Sequence, residues 1–143
     1  MTRQDYKDMY AVVGAAMEVY NQLGRGMAEP IYQEALAKEF SLRGMDAERE
    51  KELRTYYKGE LLKKTYFADF FYNGIVIELK SVEAIDSEHR AQLFNYMRIT
   101  KKYRGILFNF GEVGLYTERY LYLPEEDNFI LLNQDNYRDY IDQ

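Results

Sequence analysis

The sequence contains no cysteine, no tryptophan, one histidine and two prolines among its 143 residues. Without cysteine, disulfides and thiolate metal sites are excluded, which fits a reducing compartment. No apolar run is long enough for a membrane-spanning helix, and the N-terminal segment lacks the apolar core of a secretory signal. We therefore expect a soluble, cytoplasmic protein that makes no membrane contact.

The chain also lacks the basic surplus of most nucleic-acid-binding domains, because its net charge is −5. Five basic residues could still form a local rim: Lys63, Lys64, Lys101, Lys102 and Arg104. Hydrophobic residues make up 47% of the chain and aromatic residues 16%, with fifteen tyrosines, which is a globular composition. The length predicts one domain over residues 1–143, with a single sizeable core.

The most informative stretch is TYFADFFYNGIVIELKSVEA, residues 65–84. Asn73 and Gly74 both tolerate positive φ values, so they predict a two-residue type I′ turn between two antiparallel strands. Counting back from that turn places Asp69 directly opposite Glu78. The two carboxylates would then lie roughly 5 Å apart and repel each other.

Alternation along the strands divides this hairpin into two faces. One face carries Asp69, Phe71, Val76, Glu78 and Lys80, and the other carries Phe70, Tyr72, Ile75, Ile77 and Leu79. A hard divalent cation such as Mg²⁺ would offset the carboxylate repulsion. With a nearby lysine, such a site favours phosphodiester hydrolysis through a metal-activated water. A solvated hairpin face carrying a Glu–Lys pair explains the same residues equally well.

The rest of the chain predicts helices packed on a mixed sheet. Periodicity and turn residues predict helices at 5–23 and 29–43, strands at 47–57 and 61–72, a helix at 88–100 with Ser87 as N-cap, and strands at 104–109 and 114–123. The strand–helix–strand order from Ile75 to Asn109 predicts one parallel pair, while the earlier hairpins are antiparallel.

Two helices carry candidate polar groups. Glu29 should lie in the first turn of the second helix, on the side that meets the sheet, although the helix dipole favours an acidic residue there in any case. On the third helix, Gln92 borders the apolar stripe together with His89 and Tyr96, and could be aimed at the hairpin carboxylates. An ordinary surface amide and an exposed imidazole are the alternative interpretations.

With these residues in view, the chain resembles the PD-(D/E)XK nuclease superfamily and, more narrowly, the GxxExxY proteins. The naming motif is GMAEPIY at 26–32, followed by QEAL at 33–36; the superfamily signature is Asp69 with ELKSVE at 78–83; later blocks are HRAQLFNY at 89–96 and GILFNFG at 105–111. The resemblance covers about residues 5–122. Ala68 replaces the proline that usually precedes the first aspartate, which removes no ligand.

The resemblance implies an αβββαβ core like that of restriction endonucleases and archaeal Holliday-junction resolvases, with the active site at the sheet edge. The implied catalytic set is Glu29, Asp69, Glu78, Lys80 and Gln92, and the implied ligands of Mg²⁺ or Mn²⁺ are Glu29, Asp69, Glu78 and the Leu79 carbonyl. In this assignment Lys80 orients or deprotonates the attacking water, Glu29 binds metal directly or through water, and Gln92 supports the site.

Two functions fit this assignment. The first is a metal-dependent nuclease acting on nucleic acid, with DNA favoured, in repair, mobile-element or defence contexts. The second is a catalytically inert module that binds nucleic acid or a protein partner, which the acidic net charge and the many tyrosines favour. A homodimer fits the first function, because resolvase-like nucleases often pair to address two strands.

Overall fold

The computed structural model describes residues 1–142, which form three α-helices, six strands and a short 3₁₀ helix. The elements are α1 Arg3–Leu23, α2 Glu29–Leu42, β1 Glu48–Tyr57, β2 Glu60–Tyr72, β3 Ile75–Lys80, α3 Ser87–Thr100, β4 Arg104–Asn109, β5 Tyr116–Leu123, β6 Asn128–Leu132 and the 3₁₀ helix Tyr137–Tyr140. No helix in residues 1–142 is long and apolar enough to cross a membrane.

All six strands form one sheet in the order β1-β2-β3-β4-β5-β6. Only β3 and β4 are parallel, and α3 connects them; the other neighbours are antiparallel. The predicted mixed α/β fold is thereby confirmed. The helix bounds differ from the sequence prediction by one or two residues, except that the predicted N-cap of α3 is wrong. Asp86, not Ser87, caps this helix, because its carboxylate accepts a 3.0 Å hydrogen bond from the His89 N–H.

The sheet lies between two helical layers. One core packs α1 and α2 against one face, with Tyr32, Leu36 and Phe40 among its fully buried side chains. The other core packs α3 against the opposite face through Leu93 and Met97. The strands β3 and β4 lie between the layers and are almost entirely buried, and their central residues are apolar except for Glu78.

The hairpin between β2 and β3 has the predicted turn. Asn73 and Gly74 have φ values of +46° and +81°, and Tyr72 pairs with Ile75. The paired residues end at Phe70 and Ile77, one position before the predicted Asp69–Glu78 pair. The sheet therefore opens between β2 and β3 where the two carboxylates lie.

Beyond this opening, β1 and β2 continue as a two-stranded extension. Only residues 70–72 of β2 pair with β3, whereas β2 pairs with β1 along nearly its whole length. We call residues 54–67 the hairpin arm. None of these residues is buried. The arm thus begins beside the carboxylates and extends away from the two cores.

The five basic residues considered as one rim lie at opposite ends of the molecule. Lys63 and Lys64 belong to the hairpin arm. Lys101, Lys102 and Arg104 line a cavity of about 940 Å³ beside the Asn73–Gly74 turn. The Arg104 side chain is largely buried there and donates 2.7 Å to the carbonyl oxygen of Asp5. A single basic rim is therefore not formed.

Candidate active site

Two crossed hydrogen bonds join Asp69 on β2 to Glu78 and Leu79 on β3. The Asp69 N–H donates 2.9 Å to Oε1 of Glu78, and the Leu79 N–H donates 2.8 Å to Oδ2 of Asp69. Carboxylates therefore take the place of backbone carbonyls at the point where the ladder ends. Each acidic side chain is fixed by the backbone of the neighbouring strand.

Strict alternation of β2 breaks at Asp69. Ala68 and Phe71 both pack in the α3 core, although they are three residues apart. On β1, Glu50 has a φ of +50°. Its neighbours Arg49 and Lys51 pair with Phe70 and Ala68, but Glu50 and Asp69, which lie between these pairs, are not paired with each other. The Asp69 side chain consequently reaches α2 as well as β3, which simple alternation does not predict.

Gln33 on α2 holds the other oxygen of Asp69. Its Nε2 donates 2.9 Å to Oδ1 of Asp69, and its Oε1 accepts 2.9 Å from Nε of Arg49. The sequence prediction missed Gln33 as a site residue. Its spacing provided a signal, because Gln33 follows Glu29 by four residues and so lies on the same side of the helix.

Glu29 begins α2 and enters the same site. Burial, followed by the negative charge of Asp69, raises the pKa of the Glu29 carboxyl, while the charges of Lys80 and His89 oppose that rise. Glu29 therefore lies within electrostatic range of Asp69, Lys80 and His89. Its assignment as a metal ligand, which the family resemblance implied, stays a prediction.

The other named residues of the GxxExxY pattern hold the start of α2. Gly26, at φ +84°, donates its N–H 3.0 Å to the Phe110 carbonyl. The Tyr32 hydroxyl donates 2.7 Å to the Gly24 carbonyl and accepts 3.1 Å from the Met27 N–H. Its ring stacks on Phe110 with the centroids 4.3 Å apart. Gly26 and Tyr32 therefore fix the loop from which Glu29 emerges.

Lys80 is held from α3. Its Nζ donates 2.8 Å to Oε1 of Gln92, whose Nε2 donates 3.1 Å to the Tyr96 hydroxyl. Gln92 therefore contacts Lys80 and not the hairpin carboxylates, and its supporting role in the site stays a prediction. His89 is partly engaged elsewhere, since its Nδ1 accepts 3.1 Å from the Asp86 N–H in the cap of α3.

Asn109, which the sequence prediction also missed, locks the segment that follows Lys80. Its fully buried side chain exchanges two 3.0 Å hydrogen bonds with the backbone of Val82. At Gly111 an added Cβ would lie 2.1 Å from the Val82 carbonyl oxygen. Close packing of these two chain segments fixes the end of β3, and with it the direction of Lys80.

Two buried glutamates that flank the same residue of β4 have pKa values shifted in opposite directions. Leu107 pairs with Glu78 on one side and with Glu118 on the other. Burial, followed by the charge of Asp69, raises the pKa of Glu78 well above its ordinary range. Burial acts the same way on Glu118, but hydrogen bonds from Arg90, Tyr116 and Tyr120 prevail and lower its pKa to about 2.

This contrast separates a structural glutamate from a candidate functional one. Arg90 donates 2.8 and 2.7 Å to the two oxygens of Glu118, so that charge is compensated within the fold. Glu78 is only 4% exposed and receives a backbone N–H, while the cation nearest in sequence, Lys80, bonds to Gln92. The raised pKa of the buried Glu78 carboxyl means that nearby positive charge does not fully offset its negative charge. Groups with such shifted pKa values cluster at functional sites.

The donor chemistry of the site fits a hard divalent cation. Asp69 and Glu78 supply carboxylate oxygens beside the Leu79 backbone, and the raised pKa values of Glu29 and Glu78 show that added positive charge would be favourable there. In residues 1–142, no three His, Asp or Glu side chains are close enough together to form a complete metal cage. Mg²⁺ usually completes its shell with water and substrate oxygens, so two carboxylates are enough.

The fold and the site define an α/β protein whose mixed sheet opens on two crossed carboxylates and a lysine. The chain belongs to the PD-(D/E)XK nuclease superfamily, whose family model matches residues 6–120. The matched range includes every site residue described above.

Other comparisons add little. The crystal structure of SSO0001 is similar to this chain, with a TM-score of 0.46 and 24% identity over 62% of this chain. The matched part spans about half of that structure, 48% of its chain. A search of curated proteins found no match.

Proposed function

We propose that this chain is a divalent-metal-dependent nuclease that hydrolyses phosphodiester bonds in DNA. The observation that supports this most is the convergence of Asp69, Glu78 and Lys80 where the sheet opens, with the two carboxylates fixed by crossed backbone hydrogen bonds. The proposal also rests on membership of a nuclease superfamily. A structural ion pair is a weaker explanation, because Lys80 bonds to the neutral amide of Gln92.

The proposed direct metal ligands are Asp69, Glu78 and the Leu79 carbonyl, and Glu29 would reach the metal through a bridging water. When bound, Mg²⁺ or Mn²⁺ would lower the pKa of a water and offset negative charge on the phosphate. The chain's own contribution is rigid positioning. Gln33 and the Leu79 N–H leave Asp69 little rotational freedom, and the Asp69 N–H does the same for Glu78.

Lys80 would act on the phosphate and on the attacking water. An ammonium group has three donors, and Gln92 accepts only one of them. The remaining N–H groups can donate to a phosphate oxygen or orient a water. Gln92 is a neutral amide and therefore aims the ammonium without neutralising its charge.

Within the superfamily, we assign the chain to the GxxExxY group, with residues 1–143 forming one nuclease domain. The assignment rests on the motif at 26–32 and on the contacts that Gly26 and Tyr32 make. Gly26 and Tyr32 anchor the loop before α2, and Glu29 follows that loop in the first turn of the helix, where burial and then the charge of Asp69 raise the pKa of its carboxyl.

A catalytically inert module is the second candidate. It is favoured by the absence, in the described part of the chain, of three acidic or histidine side chains within metal-binding reach of one another. Such a module would use the same cleft to bind nucleic acid or a protein without cleaving it.

Two measurements distinguish the candidates. Calorimetric titration with Mn²⁺ should give saturable binding by the wild type that is lost in Glu78→Gln. Cleavage of single-stranded, branched and duplex DNA should then require Mg²⁺ or Mn²⁺ and disappear in Lys80→Ala, which should still bind DNA. Equal cleavage by the wild type and Lys80→Ala would contradict the nuclease proposal, and metal binding without any cleavage would favour the inert module.

A further inference from the structure

The hairpin arm, residues 54–67, exposes an unusual set of side chains. Five of its large apolar and aromatic residues are 43–62% exposed: Tyr56, Tyr57, Leu61, Leu62 and Phe67. They are interleaved with basic residues, and Lys64 Nζ lies 5.1 Å from the centroid of the Tyr66 ring. Tyr66 packs against the α3 core, but no core or helix of the described chain covers the five exposed side chains, so their exposure requires an explanation outside the fold.

The arm has the opposite charge to the rest of the protein. It carries Arg54, Lys58, Lys63 and Lys64 against a single acidic residue, Glu60, and so has a net charge of +3 in a chain whose total is −5. Because the arm is basic and the rest of the protein is acidic, electrostatic attraction favours binding of a polyanion at the arm and disfavours it elsewhere. Charge complementarity therefore selects a nucleic-acid backbone as the occupant.

The aromatic residues point to the state of that nucleic acid. Exposed Tyr and Phe rings bind unpaired bases by stacking, and a basic groove follows the phosphates of the same strand. The stacked bases of a duplex offer no free faces to such rings. We propose that the hairpin arm binds single-stranded nucleic acid, or the unpaired segment of a branched substrate, and delivers it to the carboxylate site.

The arm is continuous with that site. Phe67, at the base of the arm, and Asp69 line one cavity of about 330 Å³ together with Gln33, Glu50 and Ala68. A strand stacked on Phe67 would therefore place its phosphates beside Asp69. Delivery of the strand to a cleavage site rests on the proposed nuclease function. Binding of the strand by the arm requires no catalysis.

The test compares equilibrium binding of matched probes in EDTA, so that cleavage and metal binding do not contribute. The probes are a fluorescein-labelled single-stranded DNA and the blunt duplex of the same sequence, followed by anisotropy. The wild type should bind the single strand more tightly. Tyr56→Ala/Tyr57→Ala should weaken that binding by roughly tenfold or more, since a stacked base contributes about 1–3 kcal/mol.

Charge variants provide the matched control. Lys63→Ala/Lys64→Ala should lower the slope of log affinity against log salt by roughly 1.4, because each phosphate contact in a single strand contributes about 0.7. Lys101→Ala/Lys102→Ala removes the same charge at the other end of the molecule and should change neither affinity nor slope. Every variant is at an exposed position, and its thermal unfolding should match that of the wild type.

The outcomes for the arm and for the nuclease proposal are separable. If the arm variants and the control variant bind single-stranded DNA equally well and the protein still cleaves DNA, the arm proposal is wrong and the nuclease proposal is supported. Loss of binding in the arm variants, without cleavage by any of the proteins, would support the arm and contradict the nuclease. Tighter binding to the duplex, no DNA binding at all, or a homodimer that dissociates in the Tyr56→Ala/Tyr57→Ala variant would overturn the arm proposal.

Discussion

The backbone of Asp69 holds the side chain of Glu78, through a 2.9 Å hydrogen bond from the Asp69 N–H to Oε1. The Asp69 side chain in turn accepts from the residue that follows Glu78. The two acids are thus conformationally coupled, and removing either side chain leaves an N–H on the opposite strand without an acceptor. A partly buried donor without a partner costs about 1–3 kcal/mol. Amide variants are therefore sharper probes of charge than alanine variants.

Glu78→Gln should separate metal binding from folding. The amide oxygen can still accept from Asp69, while the charge that burial and Asp69 disfavour is removed. We expect Mn²⁺ affinity to fall by at least about tenfold, with metal-free thermal stability at neutral pH equal to or above that of the wild type. Calorimetry and thermal unfolding in EDTA measure the two effects. A strongly destabilised Glu78→Gln would mean that the charged carboxylate is a structural requirement.

Gln92→Ala should impair catalysis less than Lys80→Ala. Without the amide, the Lys80 ammonium keeps its charge but loses the 2.8 Å contact that aims it. Loss of such supporting contacts typically costs about 10- to 100-fold in activity, whereas Lys80→Ala removes the group itself. Rates on a substrate that the wild type cleaves provide the comparison, with Lys102→Ala as a control remote from the site. Equal rates for Gln92→Ala and the wild type would show that Gln92 does not position Lys80.

Local sequence chemistry predicted the hairpin. Asn73–Gly74 determines the turn type, and the turn then determines that Tyr72 pairs with Ile75. The sequence could not show that the ladder would end at Phe70. That depends on the Asp69 side chain accepting hydrogen bonds from Gln33 and from the Leu79 N–H at once, a tertiary arrangement that no local pattern records.

The motifs predicted the acidic and basic candidates and one supporting amide, Gln92, but not the other two supports. Glu29, Asp69, Glu78, Lys80 and Gln92 were candidates from the motifs, whereas Asn109 and Gln33 were missed because an amide in an apolar or helical segment is ambiguous until its partners are known. Glu118 has a weak signal in YTERY, where two tyrosines flank it on the same strand face. Only the fold shows that Arg90 completes that cluster.

Tyr32→Phe should loosen the loop before Glu29. The ring can still stack on Phe110, but the hydroxyl that bonds Gly24 and Met27 is lost. We expect the free energy of unfolding to fall by about 1–2 kcal/mol and Mn²⁺ affinity to fall with it, because Glu29 is less firmly held. Urea unfolding and calorimetry test both effects. Tyr57→Phe, on the exposed arm, is the control, and unchanged stability in Tyr32→Phe would contradict the anchoring role.

The Glu118 cluster should make the protein sensitive to acid. Its hydrogen bonds lower the folded-state pKa of Glu118 to about 2, while the unfolded chain has an ordinary value near 4.5. Below the unfolded pKa, the unfolded chain binds a proton that the folded protein does not. The contribution of Glu118 is therefore complete above about pH 4.5 and is lost as the pH falls towards 2. It amounts to something on the order of 3 kcal/mol.

Urea unfolding from pH 7 to pH 2 measures this contribution. Glu118→Gln should be less stable than the wild type at pH 7, and the difference should shrink as the pH falls below 4.5, because the wild type loses an advantage that the variant never had. Glu125→Gln removes the same charge from an exposed turn and should retain the wild-type pH profile. A constant difference between Glu118→Gln and the wild type at every pH would mean that packing, not the charge held by Arg90, is what Glu118 contributes.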